Sequence, residues 1–176
     1  QNYKDLSYVS FFGGEPFATP NHQHFINFLI EKDIAKNITL EYTTNCTLTP
    51  KPEWLESIKH FKDVIVICSI DGVGKVNSKI RRGSDWSKVS RTFNFFKSLD
   101  ISLRVNTVVM TENIFHLAEL SKWISDNNVD NWSCNVLTWP SDLSITTLPN
   151  MDKQQLYTII EQCNITDKQF ILDQLQ

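Results

Sequence analysis

The sequence lacks a long apolar run, an excess of basic residues and an export signal. No apolar stretch reaches the roughly 20 residues that a helix needs to span a bilayer. The opening residues QNYKDLSYVS contain neither the basic nor the apolar segment of a secretory signal. The formal net charge is −3 and the pI is about 5.8, whereas nucleic-acid-binding surfaces are normally basic. We therefore expect neither a membrane span nor a nucleic-acid partner.

Cysteine is also sparse. Cys46, Cys68, Cys134 and Cys163 lie far apart, and none of them belongs to a CxxC pair. This spacing excludes a local zinc knuckle and a dense disulfide framework. Cys68 lies in the apolar run VIVICSI, where a reduced core thiol is expected. The sequence thus predicts no metal site within these residues and a reducing, cytoplasmic environment.

What the sequence does contain is a regular alternation of two patterns. β-branched and aromatic residues dominate five short segments, at 6–12, 38–44, 64–70, 101–110 and 131–139. Between these segments, and again from about Asp152 and over 167–176, apolar residues recur at helical spacing. Strands that alternate with helices predict βαβ units, right-handed crossovers and a parallel sheet, which makes the fold class α/β.

Small and polar residues follow the predicted strands. Because ligands bind at the carboxyl ends of parallel strands, these residues mark the candidate site. Two glycines followed by Glu15 offer carbonyls and a carboxylate to an ammonium group, whereas a serine and an arginine suit a carboxylate. Together they would suit an amino-acid zwitterion. Taken one at a time, the same motifs also fit ordinary turns and a solvated Arg81-Arg82 pair.

Three segments, FFGGEPF, TTNC and SIDGVGKVNSKIRRGSDWSKV, follow one another along the chain. Together they resemble the motifs of the radical S-adenosylmethionine (radical SAM) superfamily, and most of all its branch with a Twitch or SPASM extension. The resemblance extends from about Tyr8 to Pro149. It implies a partial (β/α)6, TIM-like barrel of parallel strands that is incomplete at both ends. Residues 1–149 would form the central part of that core, and residues 150–176 would begin a helical linker or extension.

The same resemblance implies SAM and a [4Fe–4S] cluster as cofactors. Gly13, Gly14 and Glu15 would receive the methionyl amino group. Arg81 would hold the methionyl carboxylate, with Arg82 as the rival for that role. The other residues that the resemblance places at the cofactor are Asn45, Ser69, Asp71 and Asn106. No catalytic residue is assigned.

Two departures from the family pattern stand out. Members carry a CxxxCxxC loop whose thiolates bind the cluster, and this chain has no such spacing. We therefore expect the cluster ligands to lie N-terminal to Gln1 and the chain by itself to be inactive. The second departure is Cys46, which stands where the family's Thr-Asn-Gly has glycine.

Three functions remain in competition. The first is a radical SAM enzyme that cleaves SAM reductively to a 5′-deoxyadenosyl radical, with a peptide or protein substrate and a flavodoxin or ferredoxin as reductant. The second is a degenerate homologue that acts as a binding module without catalysis. The third is a barrel hydrolase that uses Glu15 and Asp71 as paired carboxylates.

Overall fold

The structure, a computed structural model, describes residues 5–166 and 168–175. Its centre is a sheet of five parallel strands in the order β1-β2-β3-β4-β5. The strands are β1 (Tyr8–Phe11), β2 (Thr39–Thr44), β3 (Asp63–Ser69), β4 (Ser102–Val109) and β5 (Asn131–Val136). Each lies within a segment predicted as a strand, except that β3 begins one residue earlier. The predicted α/β class with a parallel sheet is confirmed.

Helices connect the strands. They are α1 (Asn21–Glu31), α2 (Pro52–Ile58), α3 (Lys75–Ile80), α4 (Trp86–Lys97), α5 (Leu117–Asp126), α6 (Asn150–Gln162) and α7 (Lys168–Asp173). Helix α6 begins two residues before the predicted Asp152. Helix α7 covers part of the predicted stretch 167–176, of which positions 167 and 176 lie outside the described residues. Within the described ranges, no helix has both the length and the apolarity to cross a membrane.

The chain divides into two compact units. The first comprises the described residues up to Cys68 together with Lys88–Arg104, and the second comprises Ser69–Ser87 with the described residues from Val105 onward. Each unit consists of two segments that are separate in the sequence but in contact in space. The boundary between residues 149 and 150 that the resemblance implied stays a prediction.

An aromatic cluster forms the core of the first unit. The ring of Tyr42 lies between those of Phe11 and Phe17, with both centroid distances 5.0 Å. Trp54 and Phe96 close the cluster through edge-to-face and tilted contacts. Tyr42, Trp54 and Phe96 are fully buried, and full burial of a large apolar side chain contributes about 1.5–3 kcal/mol. Phe11 and Phe17 are half-buried. Because Phe17 follows the Gly-Gly-Glu-Pro segment directly, the cluster also fixes that segment to the core.

A chain of side-chain hydrogen bonds crosses the core of the second unit. The buried Trp132 Nε1 donates to Thr107 Oγ1 at 2.9 Å, and this hydroxyl donates to the carbonyl of Ile70 at 2.6 Å. One threonine therefore satisfies a buried indole N–H and a buried carbonyl at the same time. Helix α6 packs against α5 in the same unit, and α7 packs against β5.

We expect replacement of Thr107 by valine to destabilise the protein by about 2–4 kcal/mol, because two buried polar groups lose their partner while the shape is kept. Thr107→Ser keeps the hydroxyl and loses one methyl group, so its cost should be about 1 kcal/mol. Urea unfolding of the two variants measures the difference. An equal loss of unfolding free energy in both variants would show that these hydrogen bonds do not contribute to stability.

A second prediction concerns the conformation of Cys46. This buried residue has a φ of 58°, a left-handed value that a Cβ disfavours. Cys46→Gly and Cys46→Ala both remove the sulfur, but only glycine removes the Cβ. We expect the glycine variant to be the more stable of the two by about 1 kcal/mol in urea unfolding. An alanine variant of equal or greater stability would contradict strain at this turn.

Candidate functional site

In the first unit, the loop after β1 is tied to the end of β2 by the Glu15 carboxylate. Oε1 accepts from Thr44 Oγ1 at 2.8 Å, and Oε2 accepts from the backbone N–H of Asn45 at 2.9 Å. Gly13 and Gly14 precede it with φ values of 81° and 60°. A Cβ added to either glycine would meet nothing within 4 Å. The loop therefore presents an open stretch of left-handed backbone beside an anchored carboxylate.

The turn after β2 is held by its own side chains. Asn45 Oδ1 accepts from the Thr47 N–H at 2.9 Å and from the Thr47 hydroxyl, while Cys46 N–H donates to Thr44 Oγ1 at 3.0 Å. Cys46 adopts the left-handed conformation for which glycine is best suited. The departure from the family pattern at Cys46 thus leaves a well-bonded turn. The structure brings Glu15 and Asn45 together through that turn.

In the second unit, Asp71 is the centre of a buried network. Its side chain is 4% exposed. Oδ1 accepts from the Val108 N–H at 2.8 Å, and the Asp71 carbonyl accepts from Asn113 Nδ2 at 2.9 Å. The Asp71 N–H donates to Asn77 Oδ1 at 2.9 Å. The residue is therefore bonded through its backbone and its carboxylate alike.

Arg81 supplies the remaining partner of that carboxylate. Its Nε lies 2.8 Å from Asp71 Oδ2, although without the alignment of a hydrogen bond, so the contact is an ion pair. Arg81 begins a turn closed by the Ser84 N–H donating to its carbonyl at 2.9 Å. Gly83 has the positive φ, 84°, that the third position of a type II turn requires. Arg82, at the second position, is exposed.

The two arginines thus have different surroundings. The Arg81 side chain is 25% exposed and paired with a buried carboxylate, whereas Arg82 faces solvent. This difference favours Arg81 over its rival as the residue that meets a ligand. Its contact with a methionyl carboxylate stays a prediction.

The other two predicted site residues also lie in the second unit. Ser69 is the last residue of β3 and is half-buried. Asn106, in β4, accepts through Oδ1 from Asn135 Nδ2 at 3.0 Å and from Ser133 Oγ at 3.3 Å. The carbonyl of Asn106 accepts from the Ile70 N–H at 3.1 Å. Asn106 therefore links β4 to β5 through its side chain, and its backbone links β4 to Ile70, the residue that follows β3.

Sequence reasoning missed Asn77 and Asn113. Both are fully buried. Asn113 Nδ2 also donates to the Val108 carbonyl at 2.8 Å, and its Oδ1 accepts from the Met110 N–H. Neither asparagine belongs to a periodic pattern, because helix α3 is only six residues long and Asn113 lies in a turn. The only signal for Asn77 was its place shortly after the Ser-Ile-Asp-Gly segment, and Asn113 had no such signal.

A polar patch of Tyr8, Ser10 and Glu41 on β1 and β2 was missed as well. The Tyr8 hydroxyl donates to Glu41 Oε2, and Ser10 Oγ donates to Oε1 at 2.8 Å. Partial burial and the neighbouring carboxylate raise the pKa of Tyr8 to about 12. The alternation of polar residues along β2 was the signal that could have found it.

The first unit also contains an open cavity of about 990 Å³. It is lined by residues that include Thr39, Asp63 and Ser102, the first residues of β2, β3 and β4. None of the predicted site residues lines it. Because sites in parallel α/β folds lie at the carboxyl ends of the strands, we do not include this cavity in the candidate site.

The described residues do not fit an iron–sulfur cluster. No group of three His, Cys, Asp or Glu side chains among them could hold a metal ion. Cys46, Cys68, Cys134 and Cys163 are all buried, in separate turns and strands. A cluster of this type needs several thiolates together.

The hydrolase alternative also fits poorly. A carboxylate that acts as an acid or a nucleophile must reach its substrate, but Asp71 is buried and both of its oxygens have partners. In the first unit, both oxygens of Glu15 are bonded to residues at the end of β2. Asp71 has a structural role in its unit, and Glu15 anchors its loop to the end of β2.

Comparisons with known proteins agree on one family. The profile of the "Radical SAM superfamily" matches residues 1–124. Streptococcus suis SuiB bound to S-adenosylmethionine has a TM-score of 0.63 at 19% identity, over 88% of this chain and 34% of SuiB. The enzyme anSMEcpe, with bound AdoMet and the Cp18Cys peptide, has a TM-score of 0.65 at 20% identity, over 88% and 45% of the two chains.

A third structure, TYW1 with a lysine-pyruvate adduct bound, has a TM-score of 0.57 at 16% identity, over 89% of this chain and 51% of TYW1. The chain thus spans about a third to a half of the length of these three proteins. No curated protein matches it. At these identities, the likeness to solved structures shows the fold, which is that of a partial TIM-like barrel.

The family profile covers 124 of the 176 residues and includes all three motifs on which the resemblance rested. The Twitch or SPASM branch stays a prediction. On the combined evidence of the profile, the motifs and the fold, the chain belongs to the radical SAM superfamily.

Proposed function

We propose that this chain is the SAM-binding part of an enzyme that cleaves SAM reductively to a 5′-deoxyadenosyl radical. The observation that carries the proposal is Arg81, a partly exposed guanidinium that a buried carboxylate holds beside a glycine turn. An arginine held in this way has its remaining donors free to pair with a carboxylate in bidentate fashion. SAM carries such a carboxylate in its methionyl group.

Each unit, taken by itself, offers groups whose chemistry suits one end of the methionyl group of SAM. In the first unit, the left-handed Gly13-Gly14 backbone is open on the side where a Cβ would stand, so a ligand has room to approach it. We propose that this backbone and the anchored Glu15 receive the ammonium group. In the second unit, Arg81 receives the carboxylate. Asn45, Ser69 and Asn106 are the further polar residues that we assign to SAM.

From membership of the radical SAM superfamily we propose a [4Fe–4S] cluster. No group of side chains among the described residues could hold metal, so we propose other cysteines as its ligands. When bound, such a cluster supplies the electron for SAM cleavage. A flavodoxin or ferredoxin would be its reductant, in the cytoplasm. The substrate that we propose is a peptide or protein. Support comes from SuiB, solved with the precursor peptide SuiA, and from anSMEcpe, solved with the Cp18Cys peptide.

A binding module without catalysis is the second candidate. The absence of a metal-binding group among the described residues favours it. SAM binding is common to both candidates, and SAM cleavage by the intact protein under anaerobic, reducing conditions separates them. Formation of 5′-deoxyadenosine supports the enzyme, and SAM binding without cleavage supports the module.

The test of the SAM site compares the two neighbouring arginines. Loss of one member of a partly buried charged pair typically costs about 2–5 kcal/mol of binding energy, so Arg81→Ala should weaken SAM binding by tens-fold or more. Arg81→Lys keeps the charge beside Asp71 but loses the planar fork, so we expect it to bind SAM with intermediate affinity. Arg82→Ala is the matched control and should bind normally. Isothermal titration of the intact protein with SAM measures all three.

Thermal unfolding belongs to the same experiment, because Arg81→Ala leaves the buried Asp71 carboxylate without its cation and should lower stability. Arg81→Lys keeps a cation there and is the variant from which affinity is best interpreted. Damage by Arg82→Ala with normal binding by the Arg81 variants would assign the carboxylate to Arg82. Normal binding by all three would remove this contact from the proposal.

A further inference from the structure

We infer that Asp71 is a positioning residue: it orients the guanidinium of Arg81 toward the ligand carboxylate and does not itself contact SAM. The inference rests on the proposed function, and it changes the role that the resemblance gave to Asp71. It also brings Asn77 and Asn113 into the site as the residues that fix Asp71.

Both carboxylate oxygens of Asp71 already have a partner in the protein. Oδ1 accepts from the Val108 N–H, and Oδ2 lies 2.8 Å from Arg81 Nε. The residue is 3% exposed, so a ligand would reach it only by displacing one of these partners. A second carboxylate placed against it would also be repelled. Direct contact with the methionyl carboxylate is therefore unfavourable.

The orientation of Asp71 is fixed independently of Arg81. Asn77 Oδ1 binds its backbone N–H, and Asn113 Nδ2 binds its carbonyl. The side-chain amide of Asn113 also binds the backbone of Val108 and Met110. One amide group therefore holds both Asp71 and Val108, the residue whose N–H binds Asp71 Oδ1. The carboxylate is thus a rigid support against which the arginine is placed.

Arg81 contacts this support with one side of its guanidinium. Apart from the ion pair with Asp71, its side chain makes no hydrogen bond or ion pair with the described residues. With Nε 2.8 Å from Asp71 Oδ2 in an ion pair, the two terminal nitrogens are the donors that remain for a planar anion. Nε itself is buried, so the 25% exposure of the side chain comes from its other atoms. Asp71 therefore determines which edge of the guanidinium a ligand meets.

The test is a double-mutant cycle between Asp71→Asn and Arg81→Lys. Asparagine keeps the shape of Asp71 and a carbonyl oxygen for the Val108 N–H, but it removes the charge that holds the guanidinium. We expect Asp71→Asn to weaken SAM binding about tenfold or more. The double variant should bind no more than about twofold worse than Arg81→Lys, because both changes remove the same oriented contact.

A second ligand separates positioning from general damage. 5′-Methylthioadenosine keeps the nucleoside and the S-methyl group of SAM, with a neutral thioether in place of the sulfonium, and it lacks the amino and carboxylate groups. Its affinity should change less than about twofold in Asp71→Asn. Asp126→Asn, which removes the same charge from an exposed pair with Lys122, is the control and should bind both ligands normally. Calorimetry on the intact, cluster-loaded protein and thermal unfolding provide the readouts.

The outcomes are distinct. Unchanged SAM affinity in Asp71→Asn, equal losses for SAM and 5′-methylthioadenosine, or additive effects in the double variant would each overturn the positioning role. Normal SAM binding by Arg81→Lys and Arg81→Ala would instead contradict the proposed function of Arg81. If Asp71→Asn does not fold, Asp71→Glu replaces it. That variant keeps the charge but displaces the guanidinium, so SAM binding should fall several-fold, and undiminished binding would overturn the inference.

Discussion

The cost of removing the Asp71 carboxylate from water determines the arrangement of the second unit around the candidate site. A buried carboxylate is tolerated only where donors and a cation replace its lost hydration. The Val108 N–H and Arg81 supply them, and two buried asparagines bind its backbone. The end of β4, helix α3 and the turn at Asn113 are therefore all joined to one residue. Substitution of any one of these partners therefore alters the contacts that the others make with Asp71.

The first unit uses the same principle at Glu15, with a different result. Its carboxylate accepts from a hydroxyl and a backbone N–H at the end of β2, and no cation lies among these partners. The aromatic stacking of Phe17 on Tyr42 then anchors the other side of the loop. Hydrogen bonds and apolar burial thus act on neighbouring residues of one short segment. The backbone of Gly13 and Gly14 stays accessible because Glu15 and Phe17 make the contacts that hold the loop.

The sequence was most informative where a residue pattern repeats. The alternation of apolar and polar residues in β2 allows an inward polar face, and the structure shows Leu40, Tyr42 and Thr44 as the buried residues of this strand. The apolar run VIVICSI predicted a covered strand, and most of β3 is buried. Helix α3 was not predicted, because six residues are too few for helical periodicity to appear. Gly72, the residue after Asp71, meets α3 closely, since a Cβ there would lie 2.5 Å from Val76 Cγ1.

Partners of the site residues could not be predicted from sequence. The loops that carry Glu15, Asp71 and Arg81 were identified from motifs, but the pairing of Asp71 with Arg81 depends on a turn and on two asparagines outside any periodic pattern. A motif records which residue types occur at a strand end. Which of them contact one another depends on the path of the chain between them, and this path appears only in three dimensions.

The hydrogen bond between Val108 and Asp71 has a consequence for the local dynamics of the sheet. Val108 lies in β4, yet its N–H donates to a side chain beyond the end of β3, while the Ile70 carbonyl is taken by the Thr107 hydroxyl. The last connection between these two segments therefore consists of side chains, which open by rotation about single bonds. Amide hydrogen exchange at Val108 can proceed through such a local opening while the backbone ladder of the sheet stays closed. Exchange at the Val108 amide would therefore report on opening of the Asp71 network, separately from opening of the backbone ladder.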